Sequence, residues 1–378
     1  MAHVSRVTRT RCILSCPRLL CSFAYAGVVL GCSLTDFGGL AGGHSELVSD
    51  GSADAGFAED GAHSTDDSGP DVDADAAIAE PLILARGIGR PIGIAVDDHS
   101  VFFTDLGTGS IFKIPKTPAS DGSAAVPVAI ATGQIAPSAI ALDAGNVYWV
   151  SSTRIRSVPK GGGVAPKPVV DEDGSNPIFD LVISGPYVFY TSNGFIAKCH
   201  LAAFCQRGSG GIYALTVGGG PYVRLTTVPL DSFVYGTSNT GIVVKASTTP
   251  TAVTQLAAGQ DNPFDVVVDQ STVYWTNHNG AAGAVLSASL FPPDAGPNAP
   301  THLASGGDPT AIVLDATSAT LYWIDFATGS ILKCAKSGCN GQPTSVVAGQ
   351  LDPQDLAVNE GYVYWTNASA GTVARIEK

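Results

Sequence analysis

Between residues 101 and 367 a short aromatic motif recurs at a nearly constant interval, and this repeat constrains the fold more than any other feature of the sequence. Its clearest copies are Val147-Tyr-Trp-Val, Val273-Tyr-Trp-Thr-Asn, Leu321-Tyr-Trp-Ile-Asp and Val363-Tyr-Trp-Thr-Asn, and weaker ones begin at Val101, Val188 and Val234. The third positions are Phe103, Trp149, Tyr190, Gly236, Trp275, Trp323 and Trp365, spaced by 46, 41, 46, 39, 48 and 42 residues. A period of about 40–50 residues marks units that cannot bury their own hydrophobic face and must stack on neighbours.

Each unit reads as four short strands. Pro353 to Asn359 opens one, Val363-Tyr-Trp-Thr forms the second and Gly371 to Ile376 the third; Ser345-Val-Val-Ala-Gly closes the preceding unit. Alternating apolar residues, β-branched and aromatic enrichment, and Gly, Asp and Asn between the runs all favour strands. Composition agrees: 44 Gly and 24 Pro among 378 residues, with only 14% charged, is hostile to helices. The stretch 177–262 hides the fourth copy, because its proline and first strand are eroded. Strands expected at 179–183, 187–191, 195–198, 212–217, 222–227, 233–237, 242–246 and 253–257 make two units there. The expectation is therefore an all-β, seven-bladed propeller over residues 81–378; a six-bladed ring requires 199–230 to be an insertion. The chain stops after a third strand, while residues 81–87 read as an orphan fourth one. A ring closed by this N-terminal strand satisfies both leftovers and leaves no unpaired terminal strand.

The second-position and third-position aromatics are expected to pack between blades. The Thr and Asn or Asp that follow, Asp105 and Asp325 included, are expected to fix the turn into the third strand, because short polar side chains bond local backbone. Two residues after the opening proline stand Gly93, Ala139, Asp265, Ala311 and Asp355, with Asp180 one place later in its copy. Asp180, Asp265 and Asp355 either converge at the channel mouth, where they could hold a hard cation such as calcium, or each cap their own loop. Arg154 and Arg156 read as a solvated face, and His278 as an isolated surface residue. The irregular stretch 199–230 is either a specialised surface or a decayed blade. No Gly-x-Ser-x-Gly elbow, His-Glu-x-x-His pair or phosphate loop is present, so no catalytic residue is assigned.

The first eighty residues are of another kind. Residues 1–32 carry four arginines and no acid, with an apolar run of twelve residues from Leu19 to Leu30. That length suits a signal peptide rather than a membrane span. Residues 33–80 carry twelve acids and no Lys or Arg, in a Gly, Ala, Ser and Asp background that cannot offset its ordering entropy. A disordered acidic tether is expected there. The net charge of −13 therefore belongs mostly to the tether; no basic stripe exists for phosphates, which argues against nucleic-acid binding. In the exported domain Cys199 with Cys205, and Cys334 with Cys339, are expected to form disulfides.

Val29-Leu30-Gly31-Cys32-Ser33 resembles the lipobox of bacterial lipoproteins, which implies lipidation at Cys32 and outer-membrane sorting through Ser33. The Tyr-Trp-Thr-Asn/Asp copies, the Pro-x-x-Ile/Val-Ala-Val-Asp openings and the Cys pairs resemble bacterial propellers of the YWTD/NHL-like kind. They are most similar to the lipoproteins numerous in predatory soil bacteria (myxobacteria). The resemblance implies a lipid-anchored cell-envelope module that binds an envelope protein, glycan or small ligand without transforming it. The alternative is an envelope hydrolase or lyase with an ion-supported site at the channel mouth.

Overall fold

The computed structural model describes residues 80–378 apart from 119–120, 175, 209–210, 216–220, 229–231, 249–251 and 292–298. The expected signal peptide, Cys32 and the expected tether up to residue 79 lie outside the described residues. The rest forms seven sheets built on antiparallel strands with the first strand of each repeat innermost; the blade 2 sheet carries a fifth, parallel strand and the blade 7 sheet takes its outer strand from the N-terminal end of the described residues. Blade 1 comprises Pro91–Val96, Ser100–Asp105, Ser110–Pro115 and Val128–Ala131. Blades 2 to 7 open on Pro137–Leu142, Ile178–Ser184, Tyr222–Thr226, Pro263–Val268, Pro309–Asp315 and Pro353–Val358. Each inner strand contacts the next, and the seventh contacts the first, so the inner strands close a ring around an axial channel. The stretch 177–262 supplies two complete blades, which decides for seven over six.

Closure follows the expected scheme. Leu82–Ala85 pairs antiparallel with Thr372–Glu377 as the outer strand of blade 7, in the register Leu82 to Arg375 and Ile83 to Ala374. The loop after this strand repeats a device used elsewhere. The amide of Ile88 donates to the carbonyl of Gly371, as those of Gln134, Gln260 and Gln350 do to Gly109, Gly241 and Gly329. These four glycines have positive φ, and a Cβ on any of them would collide with the carbonyl oxygen of the residue opposite. Only glycine fits there.

Side chains alternate across a strand, so the two residues of each aromatic pair face different blades. The core accordingly divides into seven clusters, one at each interface. Phe102 of blade 1 shares a cluster with Trp149 of blade 2, Tyr274 with Trp323, Tyr322 with Trp365, and Tyr364 with Phe103 across the closure. The blade 4 motif has Gly236 at the third position; the Cδ1 of Ile196 from blade 3 lies 2.9 Å from where a Cβ would be. The missing aromatic is thus replaced by a neighbour's side chain.

Both expected disulfides are formed, Cys199–Cys205 and Cys334–Cys339, with Cα separations of 6.0 and 5.5 Å. They differ in use. Cys334–Cys339 closes a turn after the third strand of blade 6. Cys199–Cys205 folds back the segment after the third strand of blade 3, and Cys205–Gln206 then pairs in parallel with Lys167–Asp171, the outer strand of blade 2. The irregular stretch is therefore not a decayed blade: it also covers a neighbour's edge. Arg207 pairs with the buried Glu172, which also accepts a hydrogen bond from the Tyr190 hydroxyl at 2.5 Å.

Candidate functional site

The charged residues of the inner strands lie at one structural position. In every inner strand the pairing register jumps near its start, a β-bulge; pairing resumes opposite the third motif position in blades 1, 2, 5, 6 and 7, and one residue earlier, at Asp180 and Arg224, in blades 3 and 4. A bulge leaves one residue out of the ladder and re-aims its side chain. The residues immediately before the one opposite the third motif position are Gly93, Ala139, Asp180, Arg224, Asp265, Ala311 and Asp355, one per blade. Asp180, Asp265 and Asp355 do occupy equivalent places on alternate blades. Arg224, in blade 4, is the member that counting from the opening proline missed. Tyr222 stands where that proline would be, and the hairpin to Gly236 is two residues longer than in blades 3 and 5. Counting three residues on from Pro221, as from Pro177 to Asp180, would have found it.

Each carboxylate bridges neighbouring blades. Asp180 accepts the amide of Leu225 at 2.8 Å, Asp265 that of Ile312 at 2.8 Å, and Asp355 that of Ile94 at 3.0 Å. Asp265 and Asp355 also accept the amide of the residue that follows each of them, at 2.8 and 2.9 Å. Local capping and inter-blade bridging are thus done by the same side chain, using its two oxygens. The threonines of the motif assist, and the expectation that they fix the following turn is corrected. Thr104, Thr237, Thr276 and Thr366 donate instead to carbonyls on the next blade's inner strand, those of Ser138, Phe264, Thr310 and Ile92. The acidic partner keeps the turn role: Asp105 accepts the amide of Gly107 and the hydroxyl of Thr108, and reaches back to the amides of Gly89 and Arg90.

Electrostatically the ring is a mixed cluster. Burial pushes the Asp265 carboxyl up to about 7 and that of Asp180 to about 6, and it raises Asp355 as well, while the Arg224 guanidinium pulls all three down. For Arg224 burial opposes the charge, but the three carboxylates outweigh it and hold the guanidinium above its ordinary value. The Arg224 guanidinium supplies positive charge at these three carboxylates. Among the described residues no three His, Cys, Asp or Glu side chains form a group able to hold a metal ion.

From this ring a polar path leads to the loop face. Arg224 lies over the ring of Phe264 at 5.3 Å, Phe264 packs on His278 at 5.5 Å, and the Nδ1 of His278 is 2.8 Å from Asp308. His278, expected to be solitary, therefore has an acidic partner on the next inter-blade loop. A further repeated contact was not read from the sequence. The Nε1 of Trp149, Trp275 and Trp365 donates to the side-chain oxygen of Gln134, Gln260 and Gln350, at 3.2, 3.2 and 2.9 Å. The Gly-Gln pair fifteen residues before each of these tryptophans is its visible signal.

No family model matches the chain. Among curated proteins it is similar to Protein cueball of Drosophila yakuba, 31% identical over 135 residues, and to that of Drosophila grimshawi, 28% identical over 127 residues. These matches cover 34% and 32% of this chain, and the chain spans only about a fifth (20%) of the length of those relatives. The resemblance to the lipoproteins of predatory soil bacteria is thereby corrected: the relatives found are insect proteins that share a propeller segment. Short aromatic repeats of this kind are dictated by blade packing, so they do not separate one lineage of propellers from another. Among solved structures the chain resembles the WD40 β-propeller domain of Doa1, with a TM-score of 0.62 and 13% identity over 79% of this chain and 97% of that one. It also resembles Kuenenia stuttgartiensis hydrazine synthase, with a TM-score of 0.60 and 14% identity over 78% and 97% of the two chains. The computationally designed Ika8 protein gives 0.56 and 14% over 79% and 100%. At these identities the likeness is one of fold.

Proposed function

We propose that the protein is a non-catalytic binding or scaffold module, a rigid ring that presents its loop face and channel mouth to an envelope protein, glycan or small ligand. The observation that carries this reading is the engagement of the ring carboxylates: each accepts a backbone amide from the next blade. A carboxylate committed to two backbone amides is poorly placed to shuttle protons or attack a substrate, whereas it serves well to hold a recognition surface in one shape. Among the described residues no helix is long and apolar enough to cross a membrane. In its finer form the proposal adds export and a lipid anchor at Cys32, on the support of the Val29–Ser33 junction.

Two experiments test the reading. Purified full-length protein should leave panels of ester, lactone and glycoside substrates unchanged; turnover abolished by Asp265→Asn would overturn the binding reading in favour of an enzyme. Expressed with its own N-terminus, the protein should sediment with membranes and be released by Cys32→Ser; unchanged fractionation would remove the anchor while leaving the binding module intact.

A further inference from the structure

Blade 2 departs from its six siblings at one core position. The residue on the third strand directly opposite the third motif position is Phe112, Ala197, Val244, Leu286, Leu332 or Ala374 in the other blades. Opposite Trp149 it is Arg156. Directly opposed residues of an antiparallel pair project from the same face, so a guanidinium stands where every other blade places an apolar side chain. Arg156 is half-buried, and it has no hydrogen-bond or ion-pair partner among the described residues. Its guanidinium donors are therefore available to a ligand.

The surroundings are those of a small receptacle. Arg156 and Arg154 are two apart on Arg154–Pro159, so they line one face about 6.6 Å apart along the strand. Both border a hollow of about 270 Å³ beside the loops at Gly133 and Gly174. The hollow is also lined by the two-residue turn Ser152–Thr153, where blades 1, 6 and 7 have four residues. Asp171 takes the Nε of Arg154 at 2.9 Å, which orients that guanidinium and leaves its terminal nitrogens without a protein acceptor among the described residues. The hydroxyls of Ser152 and Thr153 line the same hollow and are likewise unpartnered among the described residues. Two guanidiniums against one carboxylate leave the site with an excess positive charge.

We infer that this hollow in blade 2 is a binding site for a small organic anion bearing carboxylates, with Arg156 gripping one carboxylate through its planar fork and the terminal nitrogens of Arg154 reaching a second. Arginine suits planar, bidentate carboxylate recognition. The site stands apart from the axial ring and goes beyond the partner-docking proposal. It can exist whether or not a partner covers the channel.

The test is calorimetric titration of purified full-length protein with succinate, with neutral succinamide and inorganic phosphate as comparison probes. Succinate should bind and succinamide should not. Arg156→Leu, which restores the kind of residue the other blades carry, should weaken succinate binding by about tenfold or more, the loss expected for charge-assisted hydrogen bonds, without lowering the melting temperature. Arg156→Lys keeps the charge but loses the fork and should also weaken binding, which provides a second reading if the leucine variant does not fold. Absence of succinate binding, equal affinity in parent and Arg156 variants, or tighter binding of phosphate than of succinate would each overturn the assignment.

Discussion

Asp355 on the inner strand of the last blade accepts, at 3.0 Å, the backbone amide of Ile94 on the inner strand of the first, a residue 261 positions earlier in the chain. The same step is taken by Asp265 to Ile312 and by Asp180 to Leu225. The ring is therefore stitched at its axis by carboxylates from alternate blades, and the closure between first and last blades uses the same stitch as two interior interfaces.

Asp355→Ala should destabilise the whole ring, because it leaves the amides of Ile94 and Leu356 without that acceptor. The expected loss is about 1–3 kcal/mol per unsatisfied group, read from urea denaturation. If the variant unfolds at the parent's midpoint, the stitch contributes nothing.

The ring carboxyls set a pH dependence. Asp180 and Asp265 titrate at about 6 and about 7 in the folded chain, against about 3.9 when unfolded. In that window the folded state holds more protons than the unfolded one, so their contribution is full below pH about 4 and is lost as pH rises through about 7. Asp269, whose burial is outweighed by Lys336 and the amides of Ser271 and Thr272 so that it is held down to about 2, acts oppositely: its contribution is full above the unfolded value of about 3.9 and is lost as pH falls from there through about 2. Stability measured from pH 4.5 to 8 should decline toward neutrality. The decline should be shallower in Asp265→Asn, and a parent curve that rises across this range contradicts the assignment.

The closing strand should matter more than its length suggests. Leu84 is buried at 1% exposure in the cluster that joins blade 7 to blade 1. Leu84→Ala is expected to cost about 2–5 kcal/mol, and deletion of residues 81–87 should lower the cooperative melting of the entire ring. Separate melting of blade 7 with the other six unchanged would show that closure is not what couples them.

Gln350→Ala removes an acceptor shared by the Nε1 of Trp365 and the Nδ2 of Asn367, each at 2.9 Å. A loss of about 1–3 kcal/mol is expected, with greater accessibility of Trp365 to fluorescence quenchers. An unchanged quenching constant would mean that the indole is held by packing alone.

Loss of the Cys199–Cys205 bridge, as Cys199→Ser with Cys205→Ser, should cost roughly 2 kcal/mol for a loop this short. The effect should be local: faster amide exchange in Lys167–Asp171, whose edge Cys205–Gln206 covers. Exchange that quickens equally in all seven blades would point to a global rather than an edge-protecting role.

Much of the architecture was legible because it is periodic. The aromatic pairs, the strand count across 177–262 and the two leftover ends imply seven blades and their closure without any coordinates, since burying alternate faces of short strands leaves few other solutions. The cysteine pairs were legible for the same reason, being close in sequence. Asp180, Asp265 and Asp355 could be placed at the channel by counting from prolines, but what they touch could not. Their partners are amides on other blades, and amides carry no sequence signature. Arg224 escaped because its proline, Pro221, stands three rather than two residues before it and its hairpin is two residues longer, and the threonines were assigned to local turns because a hydroxyl gives no sign of which backbone it will reach. Arg156 looked like one of two exposed charges until its register opposite Trp149 was known. Sequence alone thus determined the period, the pairing of each hairpin and the face on which each aromatic lies, because those depend on neighbours a few residues apart. Which charges meet at the axis, and which one is left unpaired in a hollow, was decided only when seven blades closed into a ring and brought residues hundreds of positions apart within a hydrogen bond of each other.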